Sequence, residues 1–132
     1  MDPSQALADL TEISSQIEAA VLFDDGGAIL GSTLAEPAAG EELVLAAGSL
    51  LAGAGEFRSG DAAVTQLEAS TRDGSVFVVR DEGRCIVATT APDPTVGLVF
   101  YDLKSCLRGA AEEPAKPRRR RRAAPKSEEP AE

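Results

Sequence analysis

Adjacent carboxylates at Asp24 and Asp25, thiols at Cys85 and Cys106 and a scatter of arginines are the side chains here that could do chemistry. An acid pair can hold a metal or exchange protons, but Asp24-Asp25 runs straight into Gly26-Gly27. Such residues supply the backbone conformations of a tight hairpin turn, which is the simpler reading. Asp73-Gly74 and Asp81-Glu82-Gly83 read the same way. The chain has no histidine, so the usual general base and the Ser-His pairing are absent. Two cysteines without histidine make a zinc site unexpected, since structural zinc usually takes four Cys or His ligands. No G-x-x-x-x-G-K-[ST] phosphate loop is present. Ala52-Gly53-Ala54-Gly55-Glu56 follows a helix instead of opening one, so its glycines read as a helix terminus and not as a phosphate cradle. Cys85 falls in a strand-like run and Cys106 in a helix-like one, where both are expected as reduced, buried apolar residues. Tyr101, between Phe100 and Asp102, reads as a partly buried aromatic with its hydroxyl in water. No catalytic residue, cofactor or metal ligand is expected.

The elements around these residues are legible. Asp2 can cap a first helix, Pro3 suits its first position, and Gln5 can complete a capping box. Ala6, Leu10, Ile13 and Ile17 then form a single helical stripe. Ala19 to Phe23 is a continuous apolar strand, which implies cover on both faces of its sheet. The Asp24 to Gly27 turn returns it as Ala28 to Ser32. Pro37 and Gly40 lead into a helix whose first turn carries Glu41 and Glu42, and Gly53-Ala54-Gly55 ends it. Val64 to Thr71 alternates and reads as an edge strand. Ser75 to Arg80 and Arg84 to Thr90 are apolar in their cores. Asp93-Pro94 repeats the cap-then-proline signal before a helix striped by Val96, Val99, Phe100, Leu103 and Leu107. The order α-β-β-α-β-β-β-α predicts an α/β fold, a three-layer α/β/α sandwich.

The middle helix is the unusual element. From Leu43 to Gly55 the only side chain with a hydrogen-bonding group is Ser49. A helix apolar all round must be covered on every side, and this one falls short of the about 20 residues that cross a bilayer. The sheet covers one side, and a second copy of the chain is expected on the other. Leu43, Ala47, Leu50 and Ala54 form one stripe, assigned to the sheet. Val44, Gly48, Leu51 and Gly55 form the next, assigned to the partner's helix, where Gly48 lets the axes approach closely. Thr65, Leu67 and Ala69, on the edge strand 64–71, complete the expected dimer interface through unpaired backbone groups. A charge at Leu51 should break such a dimer.

Charge divides the chain. Residues 1–113 hold 6 Arg and Lys against 19 Asp and Glu, a balance of −13, whereas residues 114–132 hold 7 against 3, a balance of +4. The acidic body repels nucleic acid and anionic lipid. Residues 1–113 read as one domain. Residues 114–132 lack large apolar side chains and read as a disordered tail around Arg118, Arg119, Arg120, Arg121 and Arg122. That run suits anionic membrane or nucleic acid, or simply offsets the acidic body. The amino terminus lacks a basic start followed by an apolar stretch, so a cytoplasmic protein is expected.

AVLFDDGGAILGST (20–33), VFVVRDEGRCIVATT (76–90) and PTVGLVFYDLKSCLR (94–108), in this element order, resemble the bacterial Roadblock / dynein light-chain family over nearly all of residues 5–110. The resemblance implies a five-stranded antiparallel sheet of the Roadblock/profilin-like kind. The middle helix would lie on one face and the terminal helices on the other, with dimerisation through the third strand and middle helix. It also implies a non-enzymatic scaffold or regulator of a small Ras-like GTPase, in some members an activator. An inserted arginine would be the sharpest activating mechanism, and Arg58 and Arg72, in or beside loops, are the candidates for partner contact. Each also reads as a solvated surface charge. The alternative is an adaptor that brings the acidic domain to membrane or nucleic acid through its arginine run. A small-molecule sensor finds no polar pocket in the Ala-rich interior.

Overall fold

Asp2 caps helix α1 (Pro3–Ile13), its carboxylate accepting the Gln5 N–H at 3.0 Å, with Pro3 in the first turn. The expected capping box is half made. Gln5 Nε2 reaches forward to Asp9 Oδ1 at 2.9 Å, one helical turn on, instead of back to the cap. The stripe also ends sooner than its spacing suggests. Ala6, Leu7 and Leu10 are buried, Ile13 is exposed at the helix end, and Ile17 already belongs to strand β1 (Ile17–Asp24).

The computed structural model describes residues 2–57 and 64–111. After β1 come β2 (Ile29–Ser32), helix α2 (Pro37–Glu56), β3 (Gln66–Thr71), β4 (Gly74–Asp81), β5 (Arg84–Thr90) and helix α3 (Val96–Ala111). The five strands form one antiparallel sheet in the order β2-β1-β5-β4-β3. Two apolar rows explain the continuous apolar strands. Val21, Val87 and Val78 stand opposite one another and face α2, while Leu22, Ile86 and Val79 alternate to the face covered by α1 and α3. Phe77 and Phe100 meet edge to face, 5.0 Å apart, in that second layer. The three-layer sandwich is as the element order predicts.

Local chemistry fixes the junctions. Gln16 Oε1 accepts the Thr95 N–H at 2.7 Å, and Arg84 Nη1 donates to the Ala110 carbonyl at 2.8 Å, so α3 is held at both ends. Asp93 does not cap α3. It takes a left-handed φ of 60°, and the helix starts three residues later at Val96. Gly74, with φ 156°, lies where an added Cβ would overlap the Thr90 carbonyl oxygen.

Helix α2 departs most from expectation. It begins at Pro37, so Glu41 and Glu42 fall in its second turn, and it runs through Gly53 and Gly55 to Glu56, with Phe57 as its C-cap. Gly40 is buried against β1 and β2, where a Cβ would stand 3.4 Å from Ser32 Oγ and 3.5 Å from Ile29 Cδ1. A Cβ there would make ordinary van der Waals contact, so the side chains that follow, and not the glycine, set the helix's rotation.

Candidate protein-interaction surface

With Gly40 against the sheet, Val44, Ala47 and Leu51 follow on the same side at helical spacing. Val44 and Ala47 are buried, and Leu51 and Leu43 pack half-buried against the same cluster of Val21, Phe23, Val78, Cys85 and Val87. The two expected stripes are therefore corrected. Ala47 faces the sheet as predicted, and Val44 and Leu51, assigned to the partner side, pack on the sheet too. Gly48 is exposed as expected, and Gly55 is half-buried. The outward side is instead Leu45, Ala46, Gly48, Ser49 and Ala52, with Leu45 72% exposed. Phe57, just past the helix, is 87% exposed.

This bare helix has a bare neighbour. Helix α2 lies over β1, β2 and β5, and cover thins toward β4 and the edge strand β3. Leu67 and Ala69 on β3 share the α2 face with Val76, and all three are half-buried. Thr65 precedes β3; it is exposed, and its carbonyl accepts the Arg80 N–H at 2.8 Å. Arg72 stands exposed at the β3–β4 turn. Arg58 and Arg118 to Arg122 lie outside the described residues.

The polar groups nearest α2 are structural. Asp24 Oδ1 accepts the N–H groups of Gly26 and Ala28, each at 2.9 Å, and Gly27 takes φ 87°, so the acid pair is a hairpin turn. That turn, Arg80 and the outer half of α2 border a groove of about 690 Å³ floored by Phe23, Val44, Leu51 and Cys85. Among the described residues no group of three or more His, Cys, Asp or Glu could hold a metal ion. No helix among them is long and apolar enough to cross a membrane.

Both thiols are free and buried. Burial pushes Cys85 up from 9.0 to about 11; Asp25 and Asp24 add to the shift and Arg80 opposes it. Burial, with Asp9, pushes Cys106 up to about 12, and its Sγ donates to the Ala6 carbonyl at 3.5 Å. At pH 8 only about one Cys85 thiol in a thousand is ionised, so neither cysteine should react with iodoacetamide until the chain unfolds. Labelling of the native protein as fast as in denaturant would contradict this. Because both values are raised, the stability they contribute is full below pH 9 and lost as pH rises through 11 to 12.

The sequence matches no family model and no curated protein. Solved structures do match. A Roadblock/LC7 domain from Streptomyces avermitilis superposes with a TM-score of 0.73 at 16% identity, covering 84% of this chain and 96% of that one. This is the Roadblock/LC7 fold. The same fold appears in the gliding protein MglB of Thermus thermophilus, with a TM-score of 0.59 at 17% identity over 83% of this chain and 89% of that one. Myxococcus xanthus MglB gives 0.60 at 14%, over 78% and 83%. Another MglB structure, at 0.61 and 20% identity, over 83% of this chain and 88% of that one, is described in a tetrameric arrangement. In the Roadblock/LC7 fold of the present chain, sequence reading missed Leu45 and Ala52 as outward residues. The available signal was the side shared by Glu41, Glu42, Ser49 and Glu56, which are all exposed.

Proposed function

We propose that the chain is a homodimeric, non-enzymatic scaffold that binds and regulates a small Ras-like GTPase. The observation that carries it is the outward face of α2. Leu45 to Ala52 presents no charge to solvent beside a thinly covered sheet flank, an apolar expanse uncommon on a monomer. A second copy related by a twofold axis would bury the same patch from both sides. The β3 edge is in position to extend the sheet across that axis. MglB proteins share the fold, and the resemblance to the Roadblock family implies a small Ras-like GTPase as the partner class.

Sedimentation across a wide concentration range should report twice the chain mass, and a single-chain mass throughout would remove the dimer. Cross-linked pull-down with GDP and with a GTP analogue should recover a P-loop GTPase in one nucleotide state more than the other. Recovery of no such GTPase in either state would remove the partner.

A further inference from the structure

Asp102 is an acid in an apolar place. It sits on the side of α3 that faces α1, is 8% exposed, and receives no hydrogen bond from any described residue. It lines a groove of about 300 Å³ between the two helices, floored by Ala6, Leu10 and Cys106. Asp9 adds a second carboxylate, already bonded to Gln5. Ile13 and Tyr101, 73% and 67% exposed, form the rim. Its carboxylate oxygens are not sealed from solvent, so a cation entering the groove can donate charge-assisted hydrogen bonds to them. The described cations of α3 do not help, because Lys104 and Arg108 line a different groove, with Gln66 and Val79.

We propose that the α1–α3 groove receives the chain's own basic run, Arg118 to Arg122, in cis. Gly109 lines the groove, and the described chain ends two residues later at Ala111. Seven further residues reach Arg118 and span up to about 25 Å. Asp102 lies nine residues back along the helix, about 13 Å. The tether keeps the run at roughly millimolar local concentration. Charge complements as well, +4 in residues 114–132 against −13 in residues 1–113. An arginine stem would lie on Ile13 and Ala6, its guanidinium bonding Asp102 and covering the Tyr101 ring. This arrangement holds the basic run on the face opposite α2 and is independent of whether the partner is a GTPase.

Tyr101 is the single tyrosine of a chain without tryptophan, so intrinsic fluorescence reads this groove alone. In the full chain at low salt, acrylamide quenching should be about half as efficient as after the joint substitution of Arg118 to Arg122 by glutamine. Asp102→Asn should raise quenching to the same level, and so should 1 M salt, where the screening length falls to about 3 Å. Protection should not change on dilution. The proposal is overturned if wild type and the glutamine variant quench alike. It is equally overturned if Asp102→Asn keeps the protection, which would put the run elsewhere. Protection that fades on dilution would assign the groove to a second copy's tail and overturn the cis form. The glutamine substitutions lie beyond α3, so the fold should be unaffected, and circular dichroism checks this.

Discussion

Leu45→Glu is expected to convert the proposed dimer to a monomer while leaving each folded chain intact. Leu45 makes little contact within its own chain, being 72% exposed, so the fold should change by no more than about 0.5 kcal/mol. In a twofold interface each substitution counts twice. Losing the burial of two leucines, at about 2 kcal/mol each, weakens association by about 4 kcal/mol, or roughly a thousandfold. Two carboxylates brought together on the axis would add repulsion. Sedimentation equilibrium measures the mass directly. Thermal unfolding gives an independent reading, since a dimer's Tm rises with protein concentration and a monomer's does not. A Leu45→Glu protein that still sediments as a dimer would place the interface off α2. Leu51→Glu is a poorer probe, because Leu51 packs against the sheet and its loss would unsettle the fold itself.

Gly74→Ala should be among the most destabilising single-methyl additions in the chain. The residue closes the β3–β4 hairpin at φ 156°, and its new Cβ would overlap the Thr90 backbone oxygen on the neighbouring strand. No flexible side chain can swing aside, so β4 and β5 would have to part near Ser75 and Thr90, which face each other across that pair. Backbone strain and overpacking together suggest a loss of about 3 kcal/mol, or about 12 °C in Tm for a domain of this size. Gly48→Ala is the contrast. Nothing lies within 4 Å of its Cβ position, and alanine favours a helix. Equal melting temperatures for wild type and Gly74→Ala would mean that the strand spacing here is looser than the structure shows.

The five strands and their turns were legible because the signals are local. Asp24 to Gly27, Arg72 to Gly74 and Asp81 to Gly83 carry turn chemistry in the residues themselves, and unbroken apolar runs such as Val76 to Val79 demand two covered faces. The cap at Asp2 was equally readable. The fate of Gln5 was not, since Asp9 and the cap both lie within its reach. Asp102 could be placed on α3 by spacing, yet its burial depends on how closely α1 approaches across the layer.

The sequence determined by itself that the chain makes an α/β sandwich and that its middle helix carries a nearly unbroken apolar run from Leu43 to Gly55. Which residues of that helix face out was decided only in the tertiary structure. Glu41, Glu42, Ser49 and Glu56 lie on its exposed side, but the apolar run between them leaves the rotation to be fixed by packing on the sheet. Packing against Val21, Phe23, Val78, Cys85 and Val87 turns Val44, Ala47 and Leu51 inward and leaves Leu45 and Ala52 toward solvent.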